Sequence, residues 1–301
     1  MPVYNGEPFI RRAIDSLLVQ TFTDFELIVS DNASTDNTES ICREYATKDN
    51  RIKYIRQSIN MGATAHFQFV AAKARSEYFM WAACDDCWMP GFVESLLRAL
   101  QLDSRADVAF CDLDRFWEDG VFLDRIAFGG SRNPRNMGHL GLAYSIAAQS
   151  RHYFFIYGLF RTNFLKNLVK QFPDGAAFDQ VFMCRIALIT KFAYVNEVLH
   201  IRTARRSRLE DRSGKDDPLS KSVCKATRYF SIPFQGGAYL MNCEDIPLKR
   251  KVFVPFLMGR WFCSMIKPGC IHLTKTMLIV FVGRSKAEKI RNSLRSFFRS
   301  D

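Results

Sequence analysis

The chain of 301 residues is long enough to bury a sizeable core, and its 48% apolar and 24% charged residues are ordinary for a globular protein. Nine cysteines without regular spacing do not fit a secreted disulfide framework, and no segment has the roughly 18 consecutive apolar residues of a membrane span. The formal net charge of +11 suits anionic lipid, phosphorylated compounds or nucleic acid, but without a zinc-finger or RNA-recognition signature we expect no nucleic-acid partner.

The first hundred residues alternate predicted helices and strands. Apolar residues recur at helical spacing in four segments, which are 7–21, 34–48, 62–75 and 90–103. Short apolar runs typical of buried strands lie between or after them, at 25–31, 51–56, 77–83 and 107–112. Strands separated by helices of this length predict an α/β domain with a mostly parallel sheet and helices on both faces.

Polar motifs come at the carboxyl ends of several predicted strands. They are "PVYN" (2–5), "SDNASTD" (30–36) and "CDD" (84–86). Ligands of parallel α/β sheets bind beyond that edge. The sequence therefore predicts that the three motifs converge on one crevice.

These motifs resemble those of the family 2 inverting glycosyltransferases of the GT-A fold. "PVYN" (2–5), "DNASTDNT" (31–38), "NMG" (60–62) and "ACDD" (83–86) follow the family's order and spacing, and the block at 178–202 resembles its downstream acidic helix and the next strand. The resemblance implies a Rossmann-like GT-A domain. It also implies transfer of a sugar, with inversion, from a nucleotide-diphosphate donor to a saccharide or lipid-linked acceptor.

The adjacent carboxylates Asp85 and Asp86 are the predicted ligands of a divalent cation, Mg²⁺ or Mn²⁺. Such an ion neutralises the charge that develops on a departing diphosphate and needs only one or two protein carboxylates. Cys84 and Cys87 could form half a zinc site, but no second pair completes it. The carboxylates could also simply cap the next helix. The family's first acidic position in this motif is Ala83 here, so one potential ligand is missing.

The resemblance further implies a donor-binding set. Asp31 resembles the aspartate that hydrogen-bonds a pyrimidine ring, and because a carboxylate suits the N3–H of uracil or thymine, we favour a UDP- or dTDP-sugar. Arg202 resembles an arginine near the pyrophosphate, with Arg205 and Arg206 as alternatives. A turn with a helix cap, or ordinary strand-end packing, is the alternative reading of the two N-terminal motifs. The other predicted donor-binding residues are Pro2, Tyr4, Asn5, Glu7, Asn60, Gly62 and Asp85.

Asp179 is the predicted catalytic base. Inverting transfer needs a group that takes the proton of the acceptor hydroxyl, and a carboxylate can do so. The resemblance implies an aspartate at the start of a helix after the mid-chain loop, and Asp179 in "FDQVF" matches it, although Phe178 replaces the acid that usually precedes it. The alternative is a helix N-cap without a chemical role.

Four parts make up the predicted organisation. Residues 1–115 form the nucleotide-sugar-binding half of the domain and 116–202 its acceptor-binding half, followed by a basic loop or linker at 203–222 and a helical C-terminal appendage at 223–301. The last eighteen residues hold six Arg and Lys against two acids, and as a helix they place apolar residues on one face. Such a tail is typical of a helix on an anionic membrane surface, although it could equally pack on its own domain.

A cytoplasmic protein is expected, peripheral at the inner face of the plasma membrane if the tail binds lipid, because no signal peptide is recognisable. Family members have about four to six apolar residues before "PVYN", whereas this sequence starts at Met1, so we expect a truncated reading frame. If the short first strand is natural, the alternative function is a catalytically impaired binding or scaffold protein on the same fold.

Overall fold

Strands and helices alternate along the first hundred residues of the computed structural model, which describes residues 1–129, 133, 136–148, 152–173, 177–205 and 233–259. All eight segments assigned from the sequence are present, most of them shorter by a few residues. They are α1 (Ile10–Leu18), β2 (Leu27–Asp31), α2 (Thr38–Lys48), β3 (Ile52–Arg56), α3 (Ala63–Lys73), β4 (Tyr78–Met80), α4 (Phe92–Leu102) and β6 (Ala106–Trp117), with β1 (Pro2–Val3) before them.

Further elements complete the described part of the domain. They are β5 (Cys87–Trp88), β7 (Phe122–Ile126), α5 (His139–Ala148), a 3-10 helix (His152–Tyr157), β8 (Leu159–Arg161), α6 (Thr162–Val169), α7 (Phe178–Ile189) and β9 (Lys191–Ala204). The helix and strand predicted at 178–202 are α7 and β9. The described part of the C-terminal appendage is helical, at 233–242, Leu248–Lys251 and 254–259.

Two compact units divide the chain. One consists of Met1–Arg205 with Glu244–Arg250, and the other of Arg206–Cys243 with Lys251–Asp301. The basic loop predicted at 203–222 lies outside the described residues from 206 onwards, as does the amphipathic tail.

The strands form two sheets. In the first, β1, β2 and β3 run parallel, with Val3 opposite Asp31 and Asp31 opposite Arg56. The second has the order β4-β8-β6-β9-β5, with β7 beside β6, and among its described strands only the β6–β9 pair is parallel. The predicted α/β class with a parallel sheet is confirmed, and the antiparallel pairs come from strands that the sequence pattern does not reveal.

A cavity of about 450 Å³ adjoins β2 and β4. Its lining includes apolar side chains of α1, β2, α4 and β8, namely Leu17, Leu27, Leu97 and Leu159. Beside it, β1 contributes only two residues to the sheet, and the amino group of Met1 donates a hydrogen bond to Ile28 O at 2.7 Å. Among the described residues, no strand pairing joins the two sheets.

Trp81 anchors the end of β4 to the second half of the domain. Its side chain is completely buried and meets Phe79 and Phe160 edge-on, with ring centroids 5.0 and 5.6 Å away. It also contacts Phe67 of α3 and Phe182 of α7. Buried aromatic clusters contribute much of a core's apolar contact. This one fixes the start of α7 beside the carboxyl end of β4.

The burial of His66 is expected to make the protein less stable in acid. It is buried in α3 with Nε2 2.8 Å from Ser30 Oγ, and burial lowers the pKa of His66 to about 4. In the unfolded chain the imidazole is protonated near its ordinary pKa of about 6.5. The free energy of unfolding should therefore fall by roughly 3 kcal/mol as the pH is lowered from about 6.5 to about 4. We expect His66→Gln, which keeps a polar group at Ser30, to flatten this part of the pH profile in urea unfolding. A slope equal to that of the unmodified chain would contradict the assignment.

Candidate functional site

The loops that follow β1 and β2 are joined by hydrogen bonds. Ser34 Oγ accepts the N–H of Asn5 at 2.9 Å, and Asn5 Oδ1 accepts the N–H of Thr35 at the same distance. Thr38 Oγ1 accepts the N–H of Gly6 at 2.8 Å. Two of the motifs that the sequence places at strand ends therefore form one surface.

Asp31 ends β2 with its side chain completely buried. Its Oδ1 accepts the N–H of Ser34 at 2.8 Å, and its Oδ2 accepts bonds from Tyr54 at 2.8 Å and Arg56 at 2.6 Å. Three of the roughly four acceptor positions of this carboxylate are therefore used by protein donors. In this geometry Asp31 holds β3 and its own loop in place.

Asn60 and Gly62 lie in a loop that Asn32 ties to the end of β2. The side-chain N–H of Asn32 donates to Asn60 Oδ1 at 2.9 Å, and Asn32 Oδ1 accepts the N–H of Met61 at 3.0 Å. Asn60 Oδ1 also accepts the N–H of Gly62. Asn32 was not singled out from the sequence, because an amide in a turn motif gives no sign of its distant partner.

The remaining donor-binding candidates near β1 differ in exposure. Tyr4 leaves 48% of its surface exposed at the end of the strand, whereas Pro2 is half-buried opposite Ser30. Glu7 accepts bonds from the backbone and side-chain N–H groups of Asn37 at 3.1 and 2.8 Å. Tyr4 thus offers an open aromatic face, while the Glu7 carboxylate supports the neighbouring loop.

Strained backbone marks the loops that carry these residues. Among the described residues, three that are not glycine have positive φ: Asn5 at 50°, Ala33 at 62° and Ala177 at 57°. Each costs on the order of 1 kcal/mol, and such strain collects at functional sites. Ala33 lies two residues after Asp31, and Ala177 lies two residues before Asp179.

Asp85 lies in the turn between β4 and β5, where its Oδ2 is 2.9 Å from a guanidinium nitrogen of Arg205. The Asp85 side chain is 12% exposed. The guanidinium of Arg205 also lies over the ring of Phe9, 4.4 Å from its centroid. The loop after β1, the turn after β4 and the residue after β9 therefore meet at one point.

Asp86 points the other way, into the protein. Its Oδ2 is 3.1 Å from His200 Nε2, and its Oδ1 accepts the N–H of Thr203 at 3.1 Å. The ring of His200 is stacked on Trp88, with centroids 5.7 Å apart. Burial alone would raise the pKa of Asp86, but His200 and Arg202 outweigh it and hold that pKa below its usual range. The carboxylate is thus an internal anion with its own partners.

Asp179 is the second residue of α7 and half-buried, and its Oδ1 accepts the N–H of Gln180 at 2.8 Å. The N-cap of α7 is Ala177, so Asp179 does not cap the helix. Nearby, the half-buried Tyr157 interacts electrostatically with four charged side chains, which are those of Arg202, Asp86, Asp85 and Asp179. Burial raises the pKa of Tyr157 well above its usual range. Charged residues predicted from distant parts of the sequence therefore influence one tyrosine electrostatically, and we refer to these four residues and Tyr157 as the cluster.

Arg202 lies on the aromatic side of this cluster. Its guanidinium is 4.0 Å from the ring centroid of Phe154 and 5.7 Å from that of Tyr157. A guanidinium stacked on aromatic faces keeps its N–H groups directed sideways, toward anionic groups. Arg205 takes the more direct position, against Asp85, and Arg206 lies outside the described residues.

A divalent cation fits only one of the two predicted ligands. Among the described residues, no group of three or more His, Cys, Asp or Glu side chains could hold a metal ion. Mg²⁺ keeps several waters and accepts one or two carboxylates together with phosphate oxygens, so Asp85 suffices as its protein ligand. Asp86 does not fit as a second ligand because its side chain is only 2% exposed and its oxygens bind His200 and Thr203 inside the protein.

The family model "Glycosyl transferase family 2" matches residues 1–173. The chain is 35% identical over 112 residues to the uncharacterized glycosyltransferase RT0329 of Rickettsia typhi, covering 37% of this chain and 34% of the relative. It is 32% identical over 127 residues to the glycosyltransferase GlyA of Streptococcus pneumoniae, covering 42% and 18%. The chain thus spans about a third or less of the length of these relatives.

Solved structures share the fold. TarS 1-349 of S. aureus in complex with UDP superposes with a TM-score of 0.55 at 16% identity, over 89% of this chain and 88% of that one. The mannosyltransferase PcManGT of Pyrobaculum calidifontis, in complex with GDP-Man and Mn²⁺, gives 0.53 at 15% identity, over 98% and 78%. These likenesses confirm the predicted GT-A architecture. Within the described residues, no helix is both long and apolar enough to cross a membrane.

Proposed function

The chain belongs to glycosyltransferase family 2, and on this premise we propose that it transfers a sugar from a nucleotide-diphosphate donor to a saccharide or lipid-linked acceptor, with inversion. The observation that carries the proposal is that Asp85 pairs with Arg205 at 2.9 Å where the loop after β1, the turn after β4 and the end of β9 meet. Asp85, Asp179 and Arg202 also all act electrostatically on Tyr157. These residues include a carboxylate that can take up a proton and guanidinium groups that can balance the charge of a departing diphosphate. No contact among the described residues favours the alternative of an impaired scaffold.

Asp179 is the proposed general base. As the acceptor oxygen attacks the anomeric carbon, its proton passes to the Asp179 carboxylate, and the bond from that carbon to the diphosphate oxygen breaks. The half-buried position of Asp179 in the first turn of α7 suits this task, because the carboxylate is fixed by the N–H of Gln180 and remains partly accessible. Trp81 and its ring contacts hold α7 beside the carboxyl end of β4.

The departing diphosphate is proposed to meet Asp85, Arg202 and Arg205. Asp85 would hold Mg²⁺ or Mn²⁺, which when bound supplies positive charge against the charge on the leaving oxygens. The two guanidinium groups donate N–H bonds to phosphate oxygens, and such charge-assisted bonds are among the stronger ones in proteins. Arg205 is already directed to this point by Asp85 and Phe9.

The nucleoside is proposed to lie against the loops after β1 and β2. The open ring of Tyr4 offers a flat face for a base, with Pro2 beside it, while Asn5, Glu7, Asn60 and Gly62 shape the ribose and phosphate side. Asp31 contributes by holding this loop. The acceptor position that the three protein donors of Asp31 leave suits the N3–H of uracil or thymine, so we keep a UDP- or dTDP-sugar as the favoured donor.

Thermal stabilisation by a panel of UDP-, dTDP- and GDP-sugars, each with and without Mn²⁺, tests this proposal. A ligand at about 100 times its Kd should add about 2.7 kcal/mol to the free energy of unfolding, which raises the Tm by several degrees. We expect uridine or thymidine donors to give the largest shift. A chain that no nucleotide-sugar stabilises, with or without the ion, would contradict the proposed function.

An anionic membrane surface is the proposed further partner, which would place the enzyme at the inner face of the plasma membrane. The support is the charge of residues 284–301, six Arg and Lys against two acids, a segment outside the described residues. We expect removal of 284–301 to reduce co-sedimentation with vesicles containing phosphatidylserine and to leave co-sedimentation with neutral vesicles unchanged. Equal co-sedimentation of both chains would refute this role.

A further inference from the structure

The adjacent carboxylates of Asp85 and Asp86 face opposite directions. Asp85 is directed to Arg205, whereas Asp86 is directed to His200 and to the backbone of Thr203. The two contacts of Asp86 lie three residues apart on β9, so one buried carboxylate holds the strand on both sides of Arg202. Of these two neighbouring residues, Asp85 can therefore contact a ligand and Asp86 cannot.

Several independent contacts hold the same region. Trp88 pairs with His200 across the antiparallel β5–β9 ladder and stacks on its ring with an interplanar angle of 3°. The guanidinium of Arg12 donates to Thr203 Oγ1 at 2.7 Å, which adds a tie from α1. Thr203 therefore receives a bond on its side chain and gives one from its backbone, and Arg202 and Arg205 flank it in the chain.

We propose that Asp86 and His200 form a positioning pair, which sets Arg202 and Arg205 opposite Asp85 across the donor diphosphate. Asp86 acts through β9 and not as a metal ligand. The inference rests on the proposed function, because the arginines matter only if a diphosphate binds between them and Asp85. A shift of β9 by a fraction of an ångström would spoil the approach of both guanidinium groups together.

Variants of three residues separate positioning from metal binding. Asp85→Asn, Asp86→Asn and His200→Leu are compared by calorimetric titration with UDP, and with GDP as a second probe, and by Mn²⁺ titration followed by electron paramagnetic resonance. We expect Asp86→Asn and His200→Leu to weaken binding of the diphosphate probe in EDTA by a similar factor, about 10-fold, and the double variant to lose no more than either single one. Only Asp85→Asn should abolish Mn²⁺ binding in the presence of the probe.

His200→Gln serves as the conservative rescue, because its amide can still donate to Asp86. It should recover most of the affinity that His200→Leu loses. Thr190→Val is the matched control. It removes a part-buried hydrogen bond to Asp107 just before the other end of β9, so it should lower the Tm without changing probe affinity. All affinities are taken well below the Tm of each variant. If Asp86→Asn does not fold, the comparison of His200→Gln with His200→Leu carries the test.

Two results would overturn the inference. One is loss of Mn²⁺ affinity in Asp86→Asn equal to that in Asp85→Asn, with His200→Leu unaffected. The other is unchanged affinity for the probe in both His200 variants. Failure of UDP and GDP to bind the unmodified chain would instead count against the proposed function, so the two failures are distinguishable.

Discussion

Asp179→Asn is expected to lower the rate of sugar transfer by about 10²- to 10⁴-fold while leaving donor affinity nearly unchanged. The amide keeps the size of the carboxylate and can still accept the N–H of Gln180, so the first turn of α7 should stay in place. It cannot take the acceptor proton. The measurement is donor turnover with Mn²⁺, using water as acceptor where no better one is known, together with a binding titration for the same donor.

A matched control exists on the same helix. Arg185 of α7 is paired with Asp245 at 3.0 Å, more than one turn away from Asp179. Asp245→Asn removes a carboxylate that supports α7 without touching its first turn, so it should lower the Tm and leave turnover within about 2-fold of the unmodified chain. Turnover in Asp179→Asn equal to that of the unmodified chain would exclude Asp179 as the base.

The first hundred residues were predictable because each element carries its own period. In α1 the buried residues Ile10, Ile14 and Leu17 recur at helical spacing, and β2 is a short run with turn residues after it. β5 was not predicted because two residues are too few to show a periodic pattern. β8 was not predicted because three residues are too few to show a period, and its antiparallel pairing with β4 joins residues about eighty positions apart. α6 was predictable, since its buried residues Leu165, Leu168 and Val169 recur at helical spacing.

The candidate site was predictable only in part: the sequence indicates which carboxylates to consider, but not what each of them contacts. Residue type and strand-end position were enough to select Asp85 as a candidate, whereas Asp179, at the start of a helix, was selected through the resemblance to the family. The task of each neighbour was not predictable, because it depends on a partner far along the chain. Asp86 meets His200, 114 residues later, and Asp31 meets Arg56 and Tyr54 on the next strand. Burial, which the motif does not encode, decides whether a carboxylate faces a ligand or the core.

Asp85→Asn is expected to lower donor turnover by about 10²- to 10³-fold and to remove its dependence on Mn²⁺. The physical reason is twofold. The variant loses the carboxylate proposed to hold the ion, and it releases Arg205, whose guanidinium is now fixed 2.9 Å from Asp85 Oδ2. Turnover is measured over a Mn²⁺ titration, and donor binding in EDTA is measured in parallel.

The two contributions of Asp85 can be separated in that experiment. Asp114→Asn, which removes an ion pair to Arg125 on the β6–β7 hairpin, provides a control for loss of a carboxylate away from the cluster and should change neither quantity. If Asp85 acts through the ion, the defect is large at saturating Mn²⁺ and disappears from donor binding in EDTA. If it acts only by fixing Arg205, the same defect persists in EDTA, and Arg205→Met reproduces it. A full Mn²⁺ response in Asp85→Asn would refute its assignment as the metal ligand, since the described residues offer no other cluster to take its place.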